Sequence, residues 1–347
     1  MADDESGNDW RAHVGDPKDP HSVDIARARE MGRGRKANTP EEIPPVGWMD
    51  IFWRVFWSIS ANRLLSTAGG VAFFALLAIF PGIGAIVSLY GLFADSSTIG
   101  QHIALLGGIL PFGVLEIVAE QIKQVAKQQN DTLGIAFVTG LLIAVWSANS
   151  GMAALFDALN VVYDERESRS LFRLYTTTFL FTVAGIFFII LAIFGLVIIP
   201  LALRFFGLTS ETEVLISVVR WPVLLVTVGV SLSILYRYGP SRRNAKWRWV
   251  TWGSVVAALL WMGASMLFSW YVATFDSYNR VYGSLGAGIG FMVWLWISAV
   301  IVLLGGEVNA EMEHQTARDT TEGKPKPLGS RGATMADHVG KAREGPD

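Results

Sequence analysis

From Leu133 to Met152 the chain reads LGIAFVTGLLIAVWSANSGM, without a single charge. At about 1.5 Å of rise per residue, a helix over this stretch reaches the ~30 Å needed to cross the hydrocarbon core of a bilayer. Only a helix satisfies all of its own backbone groups there, so the stretch must be a helical span. Five other apolar stretches repeat the pattern, near Ser66 to Phe93, Leu174 to Leu203, Val214 to Tyr236, Trp249 to Phe275 and Leu285 to Asn309. The charged residues, 17% of the chain, crowd into the two ends and the short loops, and the mean hydropathy is +0.40. The expected fold class is therefore an all-α integral membrane protein, a bundle of six transmembrane helices over residues 48–312.

Residues 1–47 are polar and mixed in charge and contain no apolar core of the kind a signal peptide needs, which predicts a disordered tail. The Gly-, Pro- and charge-rich residues 313–347 predict a second one. From Trp48 an aromatic helix carries a thin polar stripe of Asp50, Arg54, Ser58 and Asn62. Such a helix lies in the membrane interface, although the pattern also fits a segment buried against the bundle. Between Ala94 and Thr132, Leu115, Val118, Ile122 and Val125 oppose Glu116, Glu120, Lys123 and Lys127 at helical spacing, which predicts a surface helix.

Six spans place both ends of the chain on one side of the membrane. The loops after spans two and four hold Arg166, Arg169, Arg173, Arg237, Arg242, Arg243, Lys246 and Arg248, against Lys123, Lys127, Arg204 and Arg280 opposite. The basic loops stay inside, so both termini are expected in the cytoplasm of a bacterium and the spans in its plasma membrane. Arg220, a turn and a half into the fourth span, reads as an interfacial anchor.

A formal charge of −2 makes no case for nucleic acid, and a chain with no cysteine has no disulfide, thiol nucleophile or cysteine metal site. His13, His21, His102, His314 and His338 are scattered, and no phosphate-binding loop, serine elbow or paired-histidine motif occurs. No catalytic residue, metal or cofactor is expected, and the chain does not read as an enzyme. The lipid bilayer is the one partner the composition requires. The substrate stays unidentified, and a homo-oligomer stays open.

The polar residues inside the spans are the candidate site. Asn149, Ala153, Asp157, Asn160 and Asp164 fall on one face if the second span continues as a helix, and Ser150 lies beside them. Unpaired polar groups are costly in lipid, so this face should meet other helices or water. Pro81 in the middle of the first span predicts a kink or a break, which is either a packing feature or an exposed stretch of backbone for a substrate. Glu307 and Asn309 add to an acidic cluster at the cytoplasmic end. Pro81, Asn149, Ser150, Asp157, Asn160, Glu307 and Asn309 together form a candidate transport pathway. The competing reading is that the carboxylates pair with Arg237 and the loop arginines and only fix helix register. Gly286 and Gly290 form a small-residue face that allows another helix to approach closely.

With the spans placed, four phrases carry a family resemblance: Ala72 to Pro81, Trp146 to Gly151 leading to Asp157-Ala-Leu-Asn160, Leu267 to Tyr271 with Tyr282-Gly283, and Leu304 to Asn309. In order and spacing they resemble the YihY/BrkB family of bacterial inner-membrane proteins over roughly residues 50 to 312. The resemblance implies a six-helix inner-membrane protein. Labels in that family include ribonuclease BN and a virulence-associated factor. Transport of a solute or lipid-like molecule is the leading expectation, and an envelope scaffold the alternative.

Overall fold

The computed structural model describes residues 20–93, 130–193, 210–274 and 284–343, and over these the chain is helical. A short α1 (Pro20–Ala28) precedes α2 (Pro45–Ala61). Six long helices follow: α3 (Leu64–Phe93), α4 (Asn130–Val162), α5 (Leu171–Ile193), α6 (Ser210–Tyr238), α7 (Trp247–Thr274) and α8 (Ser284–Gln315). A single turn, α9 (Thr334–Asp337), lies in the C-terminal segment. Six stretches within α3 to α8 are long and apolar enough to span a membrane. The expected surface helix between Ala94 and Thr132 lies almost wholly outside the described residues, as does the side chain of Arg220.

The spans associate through small residues. In α4, Gly151 lies so near α3 that an added Cβ would sit 3.5 Å from the Ala75 nitrogen, and Gly82 of α3 faces the Ala144 methyl. Without water to drive helices together in lipid, such close van der Waals contact is the main source of association. The tightest crossing joins α7 to α8 at Gly253 and Gly305, where a Cβ on either would collide with the other's carbonyl oxygen. At the start of α8, Gly290 makes only ordinary contact with α7, a Cβ there meeting a Phe268 ring atom at 3.9 Å, Gly288 faces open space, and Gly286 lies outside the described side chains. The crossing sits near the other end because Asn309 pins it there. Its Oδ1 accepts from the Gly253 N–H at 2.8 Å and its Nδ2 donates to the Val250 carbonyl at 3.1 Å.

Pro81 does not break α3, which runs through it as one helix. α4 stops at Val162, and Asp164 takes φ +50°, a left-handed conformation that aspartate tolerates at a helix end. Asp164 thus leaves the helical face on which it was expected. On α5, Leu180, Phe187 and Ile190 are more than half exposed, as expected of side chains whose solvent is lipid.

The tails depart most from expectation. Residues 20–47 and 313–343 are folded, and together they cap the end of the bundle that carries the α4–α5 and α6–α7 links. Their charges, which read as solvated in isolation, find partners in each other and in the helix ends. Arg35, 2% exposed, is bonded to Glu30 and to the carbonyls of Gln315 and Gly340. Arg331 gathers the carbonyls of Ala317, Arg318, Lys326 and Ala336. Asp24 accepts from the Val339 N–H and pairs with His338. Residues 1–19 and 344–347 lie outside the described residues.

The helix α2 shows why its two sequence readings both had merit. Asp50 and Arg54 of its polar stripe are buried, Asp50 paired to Arg33 and Arg54 paired to Glu311 of α8 and bonded to Gln315, while Ser58 and Asn62 are half-buried. Its opposite face leaves Met49, Phe52, Phe56 and Trp57 more than half exposed, as an interfacial helix does.

Candidate functional site

Three of the seven candidate residues prove to be struts of the capped end. Asn160 is buried, with Oδ1 accepting from the Ser241 N–H at 2.7 Å and Nδ2 donating to Glu167 at 3.1 Å, so it ties the two links together. Glu167 in turn is bound by Arg169, whose hydrogen bonds hold its carboxyl down at about 2. Asn309 is the α7–α8 pin. Glu307 is wholly buried, and its Oε1 accepts from Asn62 at 2.6 Å, strapping α8 to the bend between α2 and α3. The other oxygen of Glu307 has no hydrogen-bond partner.

The other four stand apart. Asn149 is half-buried and takes one long contact, 3.5 Å, from the Thr182 hydroxyl of α5. Ser150 donates within its own helix to the Trp146 carbonyl, Pro81 is half-buried in α3, and Asp157 is exposed. None of these four lines the cavity between α5, α6 and α7 described below. The expected pairing of Glu307 with Arg237 does not form either: Arg237 pairs with Glu322 of the C-terminal segment.

The capped half of the bundle is solid. Phe156, Leu159, Val162, Tyr163, Tyr236 and Leu303 are all at or below 1% exposure, and the Tyr236 hydroxyl donates to the Val302 carbonyl across the crossing beside Gly305. An ion pair also closes it: Arg242 reaches Glu313 with two hydrogen bonds of 3.0 and 2.7 Å, both side chains fully buried, and lies 4.1 Å above the Tyr163 ring.

A cavity of about 560 Å³ lies between α5, α6 and α7, lined by Phe188, Trp221, Trp261, Met262, Met266 and Trp270 among others. Measured from the capped ends of these helices at 1.5 Å per residue, it occupies depths of roughly 15 to 35 Å, within and beyond the middle of the bilayer. Sequence reading missed it because its lining is indistinguishable, residue by residue, from lipid-facing surface. The one available signal was the unusual density of tryptophan and methionine between Trp261 and Trp270.

No group of histidine and carboxylate side chains among the described residues converges as metal ligands. The family model for virulence factor BrkB matches residues 55–328. YfkH of Bacillus subtilis (strain 168), whose name calls it ribonuclease-like, is 32% identical over 76% of this chain and 94% of its own length. The UPF0761 membrane protein IL2447 of Idiomarina loihiensis is 24% identical over 77% of this chain and 91% of its own. A UPF0761 membrane protein of Alkalilimnicola ehrlichii is 26% identical over 90% of this chain and 71% of its own. No solved structure matches. The matched residues take in all six spans, the Asn309 pin, the crossing at Gly253 and Gly305 and the Arg242–Glu313 pair, and the chain belongs to the BrkB family of multi-pass membrane proteins.

Proposed function

We propose that the protein is a transporter of the bacterial inner membrane, with both termini in the cytoplasm, and that it moves a solute or lipid-like molecule. The observation that carries this reading is the combination, among the described residues, of an end sealed by a packed core and buried ion pairs with a cavity set between three spans at membrane depth. Substrate sites of transporters lie at such depths, between packed helices. The basic loops lie on the sealed face, which supports a cytoplasmic placement of that face. The route runs through the cavity rather than along Asn149 and Asp157. No cluster of metal-ligating side chains occurs among the described residues, and the ribonuclease-like name of one relative is left with that relative.

The folded cap favours a second reading, an envelope scaffold, because it presents a rigid, highly charged surface on one side of the membrane. Flux through a locked protein separates the two. The cysteine-free chain permits Phe188→Cys with Leu224→Cys on facing walls of the cavity, bridged by a bifunctional thiol reagent in proteoliposomes. Transport predicts protein-dependent movement of labelled lipids or metabolites that stops on bridging. Absence of any flux before bridging supports the scaffold.

A further inference from the structure

The far-half cavity carries a narrower statement about what the protein handles. Its walls hold no charged residue, and its polar atoms come chiefly from serine and the indole N–H groups. The Ser265 hydroxyl, the deepest of these, already accepts from the Trp294 indole N–H at 3.4 Å. A hydrophilic solute would lose its water here and gain almost no hydrogen bonds in return, at a cost of several kcal/mol for each buried polar group. An apolar guest loses nothing of that kind. The volume falls within the roughly 300–1,000 Å³ typical of ligand pockets.

The rim shows the direction of approach. Trp221, Met266 and Trp270 are 45%, 52% and 59% exposed, while Phe188, Trp261 and Met262 behind them are half-buried. At about 1.5 Å per residue from the capped ends Trp221 and Met266 fall within the ~30 Å hydrocarbon core, so the mouth there opens sideways to acyl chains, and Trp270, at about 35 Å, reaches the far interface. Met262 and Met266 have flexible thioether side chains that mould to an irregular hydrocarbon, and the indoles offer broad apolar faces. The exposed face of α5 at Phe187 and Ile190 is apolar too, but it borders no such cavity.

We infer that this cavity is a seat for one acyl chain of a membrane phospholipid, taken sideways from the bilayer between α5, α6 and α7. For its part in transport the inference rests on the reading above, and it names the substrate class of that reading. The headgroup stays outside the cavity, toward the interface, because nothing charged lines the walls to receive it.

The test uses the full-length protein in vesicles of phosphatidylethanolamine and phosphatidylglycerol, doped with phosphatidylethanolamine that carries a photoactivatable acyl chain. Adducts mapped by mass spectrometry should concentrate on Trp221–Val228 and Trp261–Trp270 over the outward residues Leu142 and Phe187. Filling the seat with Leu224→Trp should cut the cavity adducts about tenfold and leave the outward ones unchanged. Met262→Trp, checked by circular dichroism and thermal melting, replaces it should the first variant fail to fold. Adducts spread evenly over outward and cavity residues, or cavity adducts unchanged in a folded filling variant, would overturn the inference. Capture in the cavity with no protein-dependent flux of any kind would sink transport and keep the seat. Flux of polar solutes without capture would do the reverse.

Discussion

The buried pair of Arg242 and Glu313 offers the sharpest test of how the capped end is held. Both side chains are fully shielded, the two hydrogen bonds are 3.0 and 2.7 Å, and Thr320 adds a third bond of 2.7 Å to the same carboxylate. The guanidinium also covers the ring of Tyr163. Replacing Arg242 with methionine keeps most of the volume but leaves Glu313 with only the Thr320 hydroxyl. Removing one partner of such a pair costs about 3–5 kcal/mol, whereas replacing both with apolar groups of similar size is often neutral. Arg242→Met and Glu313→Met are therefore each expected to lose roughly that amount, and the double variant far less, which gives a large coupling energy in a double-mutant cycle. Reversible unfolding in mixed micelles, followed by tryptophan fluorescence, measures all four corners. Single variants within about 1 kcal/mol of wild type, the range of solvent-exposed pairs, would refute the reasoning.

Four other expectations follow from the same geometry. Gly305→Ala should destabilise the bundle by about 1–3 kcal/mol through overpacking against Tyr236, Ala257 and Gly253, while Gly290→Ala should stay within about 0.5 kcal/mol, as thermal melting in detergent would show. Asn309→Leu, which strips two bonds from the α7–α8 crossing, should cost about 1–3 kcal/mol, and Asn149→Leu should be close to silent because it loses one contact of 3.5 Å. The Glu167 carboxyl, lowered from 4.5 to about 2 by Arg169, contributes stability that is present above its ordinary value and lost as pH falls toward 2. The melting difference between wild type and Glu167→Gln should accordingly shrink below pH 4.5 and vanish near pH 2. In whole cells, an impermeant thiol reagent applied outside should label Ser277→Cys and spare Lys324→Cys on the capped face; the opposite pattern would invert the topology.

The spans were legible because lipid imposes a single rule on every one of them: about twenty apolar residues whose backbone closes on itself. Their lengths and order emerge much as hydropathy indicates, and α3 keeps its helix through Pro81. The cap was not legible for the opposite reason. Arg35 and Arg54 look like solvated charges until residues 257 to 305 positions away supply carbonyl and carboxylate partners, and no local pattern encodes that pairing. The partners of the candidate polar residues were hidden in a related way. Asn160, Glu307 and Asn309 were rightly singled out as polar groups that lipid would not tolerate, but a polar group inside a span can be either a passage or a strut. Periodicity alone does not separate the two, whereas the hydrogen bonds to Ser241, Asn62 and Gly253 do. Beyond the tryptophans and methionines from Trp261 to Trp270 the cavity left no mark in the pattern, since concavity is a property of three helices and not of one.

The position of Arg54 has a consequence for how the protein is made. Its guanidinium is buried in α2, ahead of all six spans, yet Glu311, Gln315 and Lys341, which bind it, follow it by 257, 261 and 287 positions. Throughout synthesis the inward face of α2 therefore carries a cation with no counterpart and must stay in water at the membrane surface, while six spans insert beside it. Only a chain that has been made as far as Lys341 supplies all of these partners to α2. A polypeptide cut short before α8 would display an undocked aromatic helix with a stranded arginine, a form that membrane quality control could tell from the finished molecule by the absence of a single contact.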